Sequence, residues 1–177
     1  MTTADITAQI RAILRDTNAE KLYYTDEQIA AAILRNLNKI NAEFELFLKR
    51  YKVAAGAFLV FDKVISKIVK VAGENGDKFE FSRELAAPLR VLGFQSVQNT
   101  TNEPLEVFVI EAITDIEILP DFFDKLITLM CASDLFLCEA NSANLERVQF
   151  YDALINKEKN ELKDITRNAF RHFITRY

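Results

Sequence analysis

The chain has little of what builds turns and reactive sites. Its 177 residues include four glycines, three prolines, two cysteines, one histidine and no tryptophan. So few glycines and prolines argue against a turn-rich sandwich and for long helices. A single histidine excludes a multi-histidine metal centre and leaves few general bases. Two cysteines cannot make a disulfide framework and fit a reducing cytoplasm. No run approaches the ~20 apolar residues of a membrane span, so no membrane partner is expected. The start, MTTADITAQIRAILRD, carries an early Asp5 and no apolar h-region, and nothing secretory is expected of it. Phosphate-binding glycine loops, GxSxG and HExxH are all missing. A formal net charge of −4 speaks against a protein that works by gripping nucleic-acid phosphates.

What is present is apolar and periodic. Half the residues are hydrophobic, enough for one domain with a real core. Ile6, Ile10, Ile13 and Leu14 recur at helical spacing from about Thr3. After the polar DTNAEKLYY comes a second helix, with Thr25 as N-cap and Gln28 completing a capping box. Its stripe of Ile29, Ile33, Leu37, Ile40, Phe44, Phe47 and Tyr51 predicts roughly 25 residues, about 40 Å of helix. In the middle, β-branched runs around AGENGD predict a hairpin. The stretch AGAFLVFDKVISKIVKVAG fits a helical face as well, and strand is preferred for its last third. LRVLGFQSV and LEVFVIEAI, flanking QNTTNEP, predict a second hairpin. Pro120 suits the first turn of a further helix. That helix has a wide apolar face of Leu126, Leu129, Met130, Ala132, Ser133, Phe136 and Leu137. A final helix from about Ala143 carries Val148, Tyr151, Ile155, Leu162, Ile165 and Ala169. The expected class is α+β, mainly α: a bundle of about four helices with a small β-rich insertion. The expected parts of this one domain are 1–56, helical; 57–114, the β-rich insertion; and 115–177, helical with a C-terminal arm.

Chemistry is sparse. Cys131 and Cys138 lie seven residues apart, about 10 Å along a helix. A disulfide needs Cα atoms within about 7 Å, so the pair cannot bridge, nor can it share a metal. With apolar and acidic neighbours, both are expected to be buried core thiols of raised pKa. His172 is expected at a surface or interface. The carboxylates Asp121 and Asp124, or Asp115 and Glu117, are spaced for a shared face but suit solvated positions near a helix N-terminus. Tyr23 and Tyr24 are expected to staple the start of the long helix. No catalytic, cofactor-binding or metal-ligating residue is assigned, and no enzyme is expected.

Charge is distributed unevenly. From Glu103 to Glu139 there are nine acids and one base, Lys125. From Arg167 to Tyr177 there are three arginines, no acid, and interleaved aromatic rings. Arginine and aromatic side chains are the types enriched at interface anchors. Arg167, Phe170, Arg171, His172, Phe173, Arg176 and Tyr177 are therefore the candidate partner interface. Glu103, Glu106, Glu111, Asp115 and Glu117 form the candidate acidic surface.

Asp16, Asn18, Tyr24 and Asp26 follow a short helix, and Leu119, Pro120 and Phe123 precede an apolar helix containing Ala132 and Ser133. Then comes the segment Tyr151 to Lys163. Over roughly 1–50 and 115–165 this layout resembles phage head–tail adaptor (connector) proteins. The resemblance implies a structural virion protein at the head–tail junction, made in the host cytoplasm. It implies a homo-oligomeric ring, twelve-fold, between the portal protein and downstream tail or ring proteins. DNA would pass without sequence-specific binding, past an acidic wall that repels phosphate. The rival expectation is a soluble cytoplasmic helical protein-binding module, such as an assembly chaperone or regulatory protein, with a groove between helices and no ring.

Overall fold

A computed structural model describes residues 2–16, 22–138 and 142–174, with side chains only for 144–166 in the last span. It divides into two compact units, Met1–Ile40 with Ile113–Tyr177, and Asn41–Ala112.

The first unit is helical. Helix α1, Thr3–Leu14, opens on a capping box between Thr2 and Asp5 and closes on Arg15 in the left-handed region, φ 57°. Helix α2, Asp26–Phe44, starts with the expected box, Thr25 and Gln28 each bonding the other's backbone N–H. Pro120 caps a 3-10 turn, Asp121–Phe123, rather than entering the helix itself; α3 starts at Asp124 and runs to Leu137. All but four of its fourteen residues are buried, so this helix is apolar on nearly every side. Leu137 is the exception to the expected face, half exposed at its end. Helix α4, Ser142–Ile174, packs Val148 against Ala132 and Phe136, with Tyr151 stacked on Phe136 at 5.6 Å.

The second unit overturns the expected fold. The chain is α+β, but the strands are not a small insertion in a bundle: among the described residues there are eight, in two sheets. Strands β1 (Leu48–Val53), β3 (Ile65–Gly73), β4 (Lys78–Phe79) and β8 (Leu105–Glu111) form one sheet, in the order β1-β8-β3-β4. Strands β2 (Phe58–Val60), β5 (Phe81–Ser82), β6 (Leu89–Val91) and β7 (Ser96–Asn99) form the other, in the order β2-β7-β6-β5. Val53, Val71, Leu105, Val107 and Val109 of the first sheet share a core with Leu89 and Val97 of the second.

Two expectations are corrected and one hairpin holds. The helix predicted through Tyr51 ends at Phe44 because Glu45 adopts φ 53° and the Leu46 N–H bonds the Asn41 carbonyl, which closes the helix end. The Asn41 side chain then accepts from Phe47 N–H. LKRYKV departs as a strand whose Tyr51 and Val53 face the core. The AGENGD turn does join β3 to β4, with Gly76 at φ 85°. Gly73 meets the Phe79 ring so closely that a Cβ would stand 2.9 Å from it. The second expected hairpin does not form. LRV pairs with SVQN, while LEVFVIE lies between β1 and β3 in the other sheet. Buried Asn99 makes that separation possible. Its amide donates to the Val53, Ala54 and Glu103 carbonyls, and its oxygen accepts from Thr101.

Candidate functional site

Three of the residues behind the adaptor resemblance, Asp16, Tyr24 and Asp26, meet around Arg11 in the first unit. Asp16 follows Arg15, whose positive φ turns the chain out of α1. The residue is 5% exposed, and its carboxylate accepts from Tyr23 N–H at 2.7 Å and Tyr24 N–H at 3.1 Å. The Arg11 guanidinium pairs with Asp16 at 2.7 Å and with Asp26 at 2.6 Å, and also donates to the Tyr24 carbonyl. A buried carboxylate needs such a cation and donors to offset its lost hydration. Tyr24 is buried and its hydroxyl donates to the Leu135 carbonyl, whereas Tyr23 is 72% exposed. The pair therefore divides its work: Tyr24 anchors, and Tyr23 is presented on a charge-locked loop. Asn18 lies outside the described residues. Arg11 went unnoticed in the sequence; its signal is the five-residue spacing to Asp16, which carries an arginine past the helix end.

The acidic set separates. Glu111, at the end of β8, is buried beside β1; Lys49 pairs with it at 2.7 Å and the Tyr51 hydroxyl donates to it. Burial pushes its carboxyl up, but the bonds from Lys49 and Tyr51 outweigh that and hold it below the ordinary range. The same bond, with burial behind it, raises the Tyr51 phenol to about 12. Glu106 faces Arg50 at 3.7 Å. Glu103 lends its carbonyl to Asn99. Asp115 caps a 3-10 turn, Ile116–Ile118, accepting from Glu117 N–H, and both side chains are exposed. Asp121 is exposed, while Asp124 has one buried carboxylate oxygen with no hydrogen-bond partner. Burial, and then the charge of Asp121, raises its pKa.

The cysteines split as well. Cys131 is buried beside the Asn36 amide, and burial pushes its thiol up to about 12, an unreactive state. Cys138 is exposed, contrary to expectation, because α3 ends there and its last turn leaves the core; its thiol donates to the Asp134 carbonyl. Among the described residues, no group of three His, Cys, Asp or Glu side chains could hold a metal, and no helix is long and apolar enough to cross a membrane. The arm side chains Arg167, Phe170, Arg171, His172, Phe173, Arg176 and Tyr177 lie outside the described residues. No family model matches this chain, and no curated protein matches it.

Proposed function

We propose that the chain is a structural virion protein, a head–tail adaptor whose copies form a ring joining the portal protein to the tail and enclosing part of the DNA channel. One observation carries the reading: Asp16, Tyr24 and Asp26, three residues on which the adaptor resemblance rests, are tied into a single knot by Arg11. An assembly protein works by holding contact residues still. This knot holds an exposed Tyr23, whose own N–H and that of Tyr24 are already bound to Asp16. A rigid aromatic side chain presented in this way suits an interface anchor.

The channel wall does not draw on Glu111, which is buried and paired. The Arg167–Tyr177 arm is assigned to the portal. Removing everything after Asp164 should abolish co-migration with a portal in size-exclusion chromatography with light scattering. Undiminished binding would remove that assignment.

A further inference from the structure

The register of the β1-β8-β3-β4 sheet puts two rows of side chains on the face turned away from its core. Arg50, Phe108 and Lys70 stand opposite one another in one row. Lys52, Glu106, Ala72 and Lys78 form the next. With strands ~4.8 Å apart and rows ~7 Å apart, four cations and one carboxylate share a patch about 15 Å across. Arg50 and Lys52 are exposed and hold Glu106 and Glu74. Lys70 lies over the Phe108 ring at 4.1 Å. Lys70 and Lys78 are exposed, and neither is in an ion pair among the described residues. A chain of net charge −4 therefore carries a sheet face of the opposite sign, with an aromatic ring at its middle.

The complementary surface is in the same sequence. From Asp115 to Asp124 the chain has four carboxylates and no cation. Asp115, Glu117 and Asp121 are exposed, and so are Ile118 at 46% and Phe122 at 44%. We infer that the outer face of the β1-β8-β3-β4 sheet docks the 115–124 segment of a second copy of this chain. The carboxylates meet Lys70 and Lys78, and the exposed apolar side chains meet the Phe108 region. A phosphate backbone is the poorer occupant, because two of the four cations already hold carboxylates and a duplex offers nothing apolar to the ring. The contact joins unlike surfaces, as a closed ring requires. It rests on the adaptor reading and names how neighbouring copies recognise each other.

The test uses the full chain. Unlabelled and isotope-labelled protein are mixed at high concentration and treated with a zero-length carbodiimide, which joins amines to carboxylates in contact. Links between Lys70 or Lys78 and Asp115 or Glu117 should join one labelled and one unlabelled copy. By sedimentation, the Lys70→Glu/Lys78→Glu variant should self-associate about tenfold more weakly or worse. Mixing it with Asp115→Lys/Glu117→Lys should restore association, since each variant then meets a partner of opposite charge. Links confined to single copies, or association indifferent to the charge reversal, would overturn the contact. Duplex DNA binding that disappears in Lys70→Glu/Lys78→Glu would assign the face to phosphate and overturn it equally. A chain that binds the portal but makes no mixed link loses this contact and keeps the adaptor reading; one that makes the links but ignores the portal does the reverse.

Discussion

Asp16 in the helical unit and Glu111 in the sheet unit are both buried carboxylates, each held by one cation and by further donors, but their partners differ in reach. Those of Asp16 lie within eight residues along the chain. Glu111 depends on Lys49 and Tyr51, the latter sixty residues away and brought near only by the pairing of β1 with β8. The first knot can form as soon as α1 and the following loop do. The second exists only when a long-range register is correct. Asp124 is a third case, with a buried oxygen that finds no donor.

Breaking the local knot should cost most. Asp16→Ala leaves Arg11 with the exposed Asp26 as its carboxylate partner and strips two backbone N–H groups of their acceptor, and removing one partner of a buried pair typically costs about 3–5 kcal/mol. Denaturant unfolding would measure it, and a loss under ~1 kcal/mol would mean the loop is not locked by charge. Asp16→Asn, whose single amide oxygen can still accept from one of the Tyr23 and Tyr24 N–H groups, should lose somewhat less.

The register-dependent carboxylate comes next. Glu111→Gln keeps the shape but replaces a charged acceptor, an expected loss of about 1–3 kcal/mol at neutral pH. The sign with pH follows from its depressed folded pKa. Its stabilisation is present above the unfolded value, ~4.3, and is lost as pH falls through the folded value. Wild type and Glu111→Gln should therefore converge in acid. A constant gap from neutral to acid pH would show that charge at this site does not matter.

The smallest effect should come from Asp124→Asn, and it should be a gain. Burial raises the Asp124 pKa in the folded chain, so its ionised form opposes folding as pH rises through the unfolded value. The variant should melt slightly above wild type at neutral pH and lose that advantage below pH ~4. A lower midpoint at neutral pH would mean that the charge favours folding through the N-terminus of α3.

The same distinction explains what the sequence disclosed. Helix α1, the Thr25–Gln28 box and the AGENGD turn depend on residues a few positions apart, and spacing alone revealed them. The end of α2 was hidden because Phe47 and Tyr51 satisfy helical spacing and strand alternation equally. Nothing local says that LEVFVIE leaves its neighbour LRVLGFQSV for a place between β1 and β3, or that Asn99 ties the intervening loop. Half of the site was legible by another route: Asp16, Tyr24 and Asp26 were picked out by the adaptor resemblance. The spacing of Arg11 to Asp16 was a local signal left unread, whereas the pairing of Glu111 with Lys49 appears only in three dimensions, where a supposed acidic surface residue becomes a buried one.

The central claim is that this chain works by assembling on a portal. Mixing the full-length protein with portal rings and imaging the product by electron microscopy tests it most directly. The account predicts an added ring of density, one copy of the chain per portal subunit, with an open central channel. Portal rings left bare at saturating chain concentration would contradict it.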